Sequence, residues 1–559
     1  MNIYQIFTRL YGNPNSSNIP HGTLTENGSA KLESFTTEKL RRIKDYGFSH
    51  VWFTGVIEHA TQTDYSLHGI AKDHPAVVKG KAGSPYAIKD YYDIDPDLAI
   101  NIESRMDEFE SLVHRIHEVG LKMVIDFVPN HVARQYHSDA APKDVEDLGA
   151  SDDSELHFST RNNFYYCWGE PLHTDNFSHG APQEYPYLEY PAKATGNDQF
   201  EAWPSRNDWY ETIKLNYGID YCGGRTRHFE PMPSTWSKML SILQFWAHKG
   251  VDAFRCDMAE MVPVEFWHYA IGEIKRDFPH IIFIAEVYNP AEYRNYVHHG
   301  KFDYLYDKVG LYDTLRSIIR HEAPAAAITG AWQATDDIRE HMLYFLENHD
   351  EQRIASDYFV GEAHKALPAA AVAAFLGHNP FMIYAGQEVG ERGMEEEGFS
   401  GRDGRTTIFD YWSPESLRKL AALPQENQLT KEEQFLYDSY RTLLQLRNER
   451  TAFREGAFYD VMYANYDWAE NFNPDRHYAF LRHTQQETIL VVANFSDNIA
   501  ACGVRIPSHA FECLNLSEGE YLATDLITHQ KSKLALLRDK HCHVSVPARS
   551  CIALSFKTH

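Results

Sequence analysis

Two textures alternate along this chain. Short apolar runs read as buried strands, and the stretches between them carry the 3.6-residue period of amphipathic helices. Asn2 to Phe7 is the first run, and FSHVWF (Phe48 to Phe53) and LKMVIDFV (Leu121 to Val128) are the next two. Helical period covers Thr37 to Tyr46 and Glu103 to Val119, and Gly120 ends the second of these. The regularity then stops. Residues 133–216 are rich in Asp, Asn, Pro, Tyr and Trp with little helical period. A structureless loop of that size is implausible in a compact protein, so the stretch is expected to be an inserted domain or lid.

Alternation resumes with helices over Ser234 to His248, Pro263 to Phe278, Val309 to His321, Ala363 to Leu376 and Glu432 to Glu449. Strands fall at Gly250 to Arg255, His280 to Glu286, Phe302 to Tyr306, His341 to Leu346 and Pro380 to Tyr384. Eight strand-then-helix units predict an α/β fold, a (β/α)8 TIM barrel. From about Phe453, period-2 segments such as HYAFLRH, TILVVANF and SCIALSF alternate with turn residues, the pattern of an antiparallel β domain. The expected division is a barrel over 1–132 and 217–452, an insert over 133–216 and a C-terminal β domain over 453–559.

Charge narrows the partners. The net charge is -26, from 53 basic and 79 acidic residues, which argues against nucleic acid or an anionic membrane. No apolar run is long enough to span a bilayer. The first residues, MNIYQIF, lack the basic and apolar regions of a signal peptide, and seven cysteines without a CxxC suit a reducing compartment. A cytoplasmic location is the expectation. The 34 Tyr and 10 Trp suit stacking on sugar rings as well as core packing.

In a barrel of this kind, chemistry belongs at the C-terminal ends of the strands. The stretch GVDAFRCDMAE puts Arg255 and Asp257 two residues apart, on one face of a strand end. Alone, that pair reads as a structural ion pair. Other strand ends change the picture: VIDFVPNH carries Asp126, Asn130 and His131, FIAE ends in Glu286, and FLENHD carries His349 and Asp350. Asp257, Glu286 and Asp350 thus come to one rim from three separate strands. Carboxylates sharing a cleft separate their pKa values, so one can donate a proton while another stays ionised, as glycoside cleavage requires.

Taken together, VIDFVPNH, GVDAFRCD, FIAEV and FLENHD resemble the ordered blocks of the α-amylase family of retaining α-glucan enzymes (glycoside hydrolase family 13). IYQIFTR, YAIKDYYDIDP, IYAGQEVG and the KLN of Lys214 to Asn216 resemble its supporting segments. The resemblance implies Asp257 as nucleophile, Glu286 as general acid then base, and Asp350 as the group that grips sugar hydroxyls. It implies Arg255 as the partner that aims Asp257, His131 and His349 as hydroxyl binders, and Tyr86 as a stacking platform. Asp126 and Asn130 would be supporting members. No cofactor is implied for the chemistry, and the expected partner is an α-glucan.

Two departures stand out. Many relatives carry Lys-His at the third and fourth positions after the nucleophile, where this chain has Glu260 and Met261. The Lys binds sugar on the acceptor side, so acceptor recognition is expected to differ. The His commonly contacts a structural calcium between barrel and insert; here Asn130, with Asp152, Asp153 and Asp175 of the insert, remain as candidate ligands. Ser-Pro also precedes Tyr86, in place of the family's usual Gly. The leading expectation is hydrolysis of α-1,4-glucosidic bonds with retention. A glucanotransferase is the alternative, and a non-catalytic sugar-binding barrel a further one.

Overall fold

The computed structural model describes residues 1–177 and 185–557. Its centre is a closed barrel of eight parallel strands: β1 (Asn2–Phe7), β2 (His50–Thr54), β3 (Lys122–Phe127), β4 (Ala253–Cys256), β5 (Ile282–Ala285), β6 (Tyr304–Tyr306), β7 (Met342–Phe345) and β8 (Phe381–Tyr384). Their order around the barrel is their order in the chain, and β8 closes onto β1. Period 2 sets the interior. Ile3, Trp52, Val124, Ala253, Ile284, Leu343 and Met382 pack together inside. Two residues further along the same faces stand Gln5, Asp126, Arg255 and Glu286. A polar layer therefore rests on an apolar plug at the C-terminal end of the barrel.

The outer helices are α1 (Thr37–Tyr46), α2 (Arg105–Glu118), α3 (Ser234–His248), α4 (Val264–Asp277), α5 (Tyr293–His298), α6 (Asp313–Ile319), α7 (Leu367–Phe375) and α8 (Lys431–Glu449). Local sequence explains their ends. Thr36 caps α1 by accepting from the Lys39 N–H, Gly47 ends it at φ 125°, and Leu40, Ile43 and Tyr46 form its buried face. Thr430 and Glu433 form a reciprocal capping box on α8. The helix expected over 309–321 opens instead as a π-helical turn, Lys308–Tyr312, because the Asp307 carboxylate accepts from the Leu311 N–H at 2.8 Å.

Between β2 and α2 lies a hairpin of Ile57–His59 with Ile88–Ile94, which the sequence pattern did not reveal. Between β3 and α3 the excursion contains short ladders. His131–Ala133 pairs with Thr212–Lys214, and Tyr166–Cys167 with Ala192–Lys193. All seven cysteines are free thiols. No helix among the described residues is long and apolar enough to cross a membrane.

The C-terminal strands are β9 (Ala457–Asp460), β10 (His477–His483), β11 (Thr488–Asn494), β12 (Ala500–Arg505), β13 (Gly519–Asp525), β14 (Lys531–Leu536), β15 (His541–Val546) and β16 (Ser550–Phe556). They form an antiparallel sheet of order β9-β10-β11-β16-β13-β14, with β12 and β15 paired separately. Helix α7 is buried along its whole length because the barrel lies on one side of it and β11 and β16 on the other. Phe375 at its end stacks on Phe453 with ring centroids 4.0 Å apart. The fully buried Arg482 donates to the carbonyls of Leu376, Ala452, Phe453 and Gly456 across the same seam. Phe375→Ala is therefore expected to destabilise the protein by about 3–5 kcal/mol in equilibrium denaturation. A loss below about 1 kcal/mol would show that the seam is not held by this packing.

Candidate active site

The site is built around Arg255, whose guanidinium is fully buried. Its Nη1 lies 2.6 Å from Asp257 Oδ1 and 3.4 Å from Asp126 Oδ1, and its Nη2 lies 2.8 Å from Glu286 Oε1. Its Nε donates to the Tyr306 hydroxyl at 3.2 Å. The rings of Trp52, Tyr86 and Tyr306 surround it at 5.3–5.5 Å. Strand register makes this arrangement. Arg255 on β4 lies beside Asp126 of β3 and Ile284 of β5, and the ladder runs on past the strand ends. The Asp257 N–H donates to Phe127 O at 2.9 Å and the Glu286 N–H to Cys256 O at 3.1 Å. Both carboxylates are thereby held at the same height on neighbouring strands.

Glu286 has two further donors. The Met258 N–H reaches its Oε2 at 2.8 Å, and the Tyr288 hydroxyl reaches its Oε1 at 2.6 Å. Met258 adopts φ 43°, a left-handed turn that is uncommon outside glycine, directly after Asp257. Glu260 lies behind this group. Its Oε2 accepts from the Tyr288 N–H at 3.1 Å and the Asn289 N–H at 3.0 Å, so it fixes the loop that presents Tyr288 to Glu286.

On the opposite wall, His349 joins three groups. Its Nδ1 lies 2.8 Å from Gln5 Nε2, and its Nε2 lies 2.5 Å from the Tyr86 hydroxyl and 3.0 Å from Asp350 Oδ2. Tyr86 also stacks on the His349 ring at 5.1 Å. Asp126, below them, accepts from Trp52 Nε1 at 2.9 Å and from the Tyr86 hydroxyl at 3.4 Å. The loop bearing Asp350 is braced from behind by Glu347, which pairs with Arg353 at 2.7 Å, and by Arg405 Nε, which donates to Asp350 O at 2.6 Å. Tyr86, His131, Asp257, Glu286 and Asp350 all line one cleft of about 410 Å³.

Asn130 does not face that cleft as a binding group. Its Oδ1 accepts from Lys214 Nζ at 2.7 Å, and its Nδ2 donates to Gly196 O at 2.7 Å. Lys214 also pairs with Asp198 at 2.6 Å. The residues at this junction do not fit a metal ion. An ammonium already stands at the Asn130 oxygen, Asp152 is taken up by the Asn163 and Phe164 N–H groups, and Asp175 is exposed. Residues that sequence reasoning missed include Gln5, Trp52, Tyr288 and Tyr306, together with Trp209 and the Lys79–Glu211 pair of the cleft wall. Only Tyr288, two positions after Glu286, carried a readable signal.

Burial pushes the Asp257 carboxyl well above its ordinary range, against the pull of Arg255, and Glu286 and Asp350 add to the push. Burial also raises Asp126, with Arg255 and His349 opposing. His131 is pushed down to about 3 by burial, helped by Lys214 and Lys79, so it is a neutral ring near neutral pH. Enclosure opposes ionisation of Asp350 too, but the His349 contact, with Arg255 and Arg405, outweighs it and holds that carboxyl down at about 2.

A parallel barrel whose strand ends gather a histidine and several carboxylates into one cleft, over a buried arginine and a second, buried histidine, defines a barrel enzyme with acid–base capacity. The comparisons identify its family. The family model of the alpha amylase catalytic domain matches residues 5–456. Alpha-amylase 2 of Dictyoglomus thermophilum is 22% identical over 509 residues, covering 89% of this chain and 69% of the relative. A cyclomaltodextrinase of a Bacillus species is 23% identical over 505 residues, covering 88% and 72%. The solved structure of the noncanonic maltogenic alpha-amylase AmyB from Thermotoga neapolitana superposes with a TM-score of 0.65 at 19% identity, covering 100% of this chain and 99% of that one. This chain belongs to the alpha-amylase family, whose α-glucan-active enzymes are hydrolases or glucanotransferases.

Because the folded state favours ionised Asp350, its contribution to stability is complete above about pH 4 and is lost as the pH falls through about 2. The side chain is 41% exposed, so solvent screens the effect. Wild type is expected to be more resistant to denaturant than Asp350→Asn at pH 5, with the difference shrinking toward pH 2. An unchanged difference across that range would remove the pairing.

Proposed function

We propose that this enzyme hydrolyses α-1,4-glucosidic bonds of maltooligosaccharides with net retention. The observation that supports it most is the single Arg255 guanidinium in contact with both Asp257 and Glu286. Arg255 pulls Asp257 toward its ionised form against the burial that raises it, and holds Glu286 beside it. On this reading Asp257 attacks the anomeric carbon, forming a carbon–oxygen bond to the sugar. Glu286 gives its proton to the departing glycosidic oxygen as that bond breaks. Glu286, now ionised, takes a proton from water, and the water oxygen displaces Asp257. Arg255 favours the ionised nucleophile, and Met258 N–H and Tyr288 orient the acid. Asp350 and His131 supply the hydroxyl grip, with His349 holding Asp350 from behind, and Tyr86 and Trp209 form the apolar walls. The names of the relatives, cyclomaltodextrinase and maltogenic alpha-amylase, support maltodextrin substrates.

Maltoheptaose with wild-type enzyme is expected to yield shorter chains only, released first as α-anomers in proton NMR. Asp257→Asn and Glu286→Gln should each lower kcat by at least about a thousandfold with far-UV circular dichroism unchanged. Initial β-anomers would overturn retention, products longer than the substrate would identify transfer, and near-normal turnover in either variant would remove that residue.

Glu260 acts through Tyr288. Glu260→Gln keeps an oxygen for the two N–H groups, whereas Glu260→Ala leaves them without it. The alanine variant and Tyr288→Phe are expected to share one defect: kcat down about tenfold and the alkaline limb of the pH–rate profile displaced. Glu260→Gln should recover most of the rate. An alanine variant with an unshifted profile would sink the positioning role.

A further inference from the structure

One wall of the cleft carries a charge pair that the proposed mechanism does not use. Lys79 and Glu211 line the same cleft as Tyr86, His131 and Trp209. The Lys79 ammonium lies 3.0 Å from Glu211 Oε2 and donates to the Asp208 carbonyl at 3.2 Å, and neither member of the pair reaches Asp257, Glu286 or Asp350. The backbone that carries them is fixed. Lys79 directly precedes residues 80–83, where the Ala82 N–H donates to Phe409 O at 3.1 Å and Arg9 donates to Gly83 O at 2.8 Å. Glu211 directly precedes the Thr212–Lys214 strand that pairs with His131–Ala133, and its carbonyl accepts from the Arg134 N–H at 3.0 Å. The excursion after β2, the insert and the loop after β8 therefore meet at this pair.

As a structural ion pair it is poorly compensated. The Lys79 and Glu211 side chains are 10% and 6% exposed. The ammonium is near enough to Glu211 Oε2 for charge attraction but out of line for a hydrogen bond, so that oxygen is buried with no hydrogen-bond partner among the described residues. Burying two opposite charges is unfavourable unless hydrogen bonds also satisfy their remaining polar atoms. Glu347 and Arg353 show what a buried structural pair looks like here. Glu347 accepts from Arg353 Nη1 through one oxygen and from the Ile354 N–H through the other, both at 2.7 Å. Glu211 lacks that support, and it faces the space a substrate fills.

We propose that Lys79 and Glu211 read two adjacent hydroxyls of a sugar unit bound against Trp209, and that they set the affinity for the unit next to the reacting one. The inference rests on the α-glucan function proposed above. A hydroxyl both donates and accepts, so one can donate to Glu211 Oε2 while its neighbour accepts from the Lys79 ammonium, which has three donors. The charges of the pair cancel, which suits a neutral polyol. Trp209, half-buried with its ring 5.2 Å from that of His131, offers the apolar surface for the sugar ring. The reacting unit has its own grip in Asp350 and His131, so the pair meets a neighbour. A site built to bond hydroxyls rejects a ligand lacking them, because its buried polar groups then stay unpaired. The pair touches no reacting carboxylate, so its hydrogen bonds hold ground state and transition state alike and act on KM.

The test is maltotriose binding by calorimetry in the full chain carrying Asp257→Asn, in which the proposed mechanism leaves the sugar uncut, with thermal unfolding of the sugar-free protein in parallel. Glu211→Gln added to that background is expected to weaken binding about tenfold. Lys79→Met with Glu211→Leu removes the buried charges together with the recognition. It should weaken binding at least as much, yet unfold at the same temperature or a higher one. In the otherwise wild-type enzyme, Glu211→Gln should raise KM for maltotriose by a similar factor. The proposal is overturned if the double replacement binds maltotriose within about twofold of its parent, if it lowers the unfolding temperature as loss of a structural pair would, or if Glu211→Gln lowers kcat with KM unchanged. Turnover surviving in Asp257→Asn would remove the nucleophile assignment and leave this proposal to be decided by KM.

Discussion

The structure depends on a buried guanidinium. Arg255 has lost its water and is compensated by Asp257, Glu286 and Asp126, with three aromatic rings closing the remaining faces. An arginine does not give up its proton in a protein, so three carboxylates around it leave surplus negative charge in a region of low dielectric. Burial of that charge favours the neutral form of the acids it encloses. Burial accordingly raises both Asp257 and Asp126, at positions set by the register of β3 and β4. This is also why burial and Arg255 pull Asp257 in opposite directions.

Much of this was legible in the sequence because period 2 is rigid. Once GVDAFRCD is read as a strand, Ala253 facing inward forces Arg255 and Asp257 to face inward too, at successively higher levels. The same alternation carries Val124 to Asp126 and Ile284 to Glu286. What could not be read is what arrives from far along the chain. Trp52 bonds Asp126 across 74 positions and Gln5 meets His349 across 344, and no local pattern marks either. The hairpin bearing Asp90 escaped for a different reason. Both its faces are buried, so its residues show neither strand alternation nor helical period. The π-helical turn at Lys308–Tyr312 depends on one side-chain cap, Asp307, that helical periodicity does not register.

The departures from the family pattern are explained by where their charges go. Glu260 stands where many relatives have a lysine, and instead of meeting a sugar its carboxylate collects two backbone N–H groups after β5. That carboxylate thereby fixes the loop that brings Tyr288 to Glu286. At the barrel–insert junction Lys214 bridges Asn130 and Asp198 with its own ammonium, so that junction is held by a charge the chain carries with it.

The three carboxylates of the cleft also differ in depth, and depth decides what can tune them. Asp257 and Glu286 are 6% and 3% exposed, so their surroundings are fixed by the barrel before any ligand arrives. The Asp350 side chain is 41% exposed, although its loop is clamped from behind by Glu347, Arg353 and Arg405. Its water is therefore the water a sugar displaces. On the proposed mechanism, displacing that water strengthens the Asp350–His349 contact and every hydrogen bond from Asp350 to the sugar at once. The buried pair is preorganised by folding, while the third carboxylate gains its full strength only when the cleft is filled. That dependence couples substrate binding to the chemistry without any movement of the barrel.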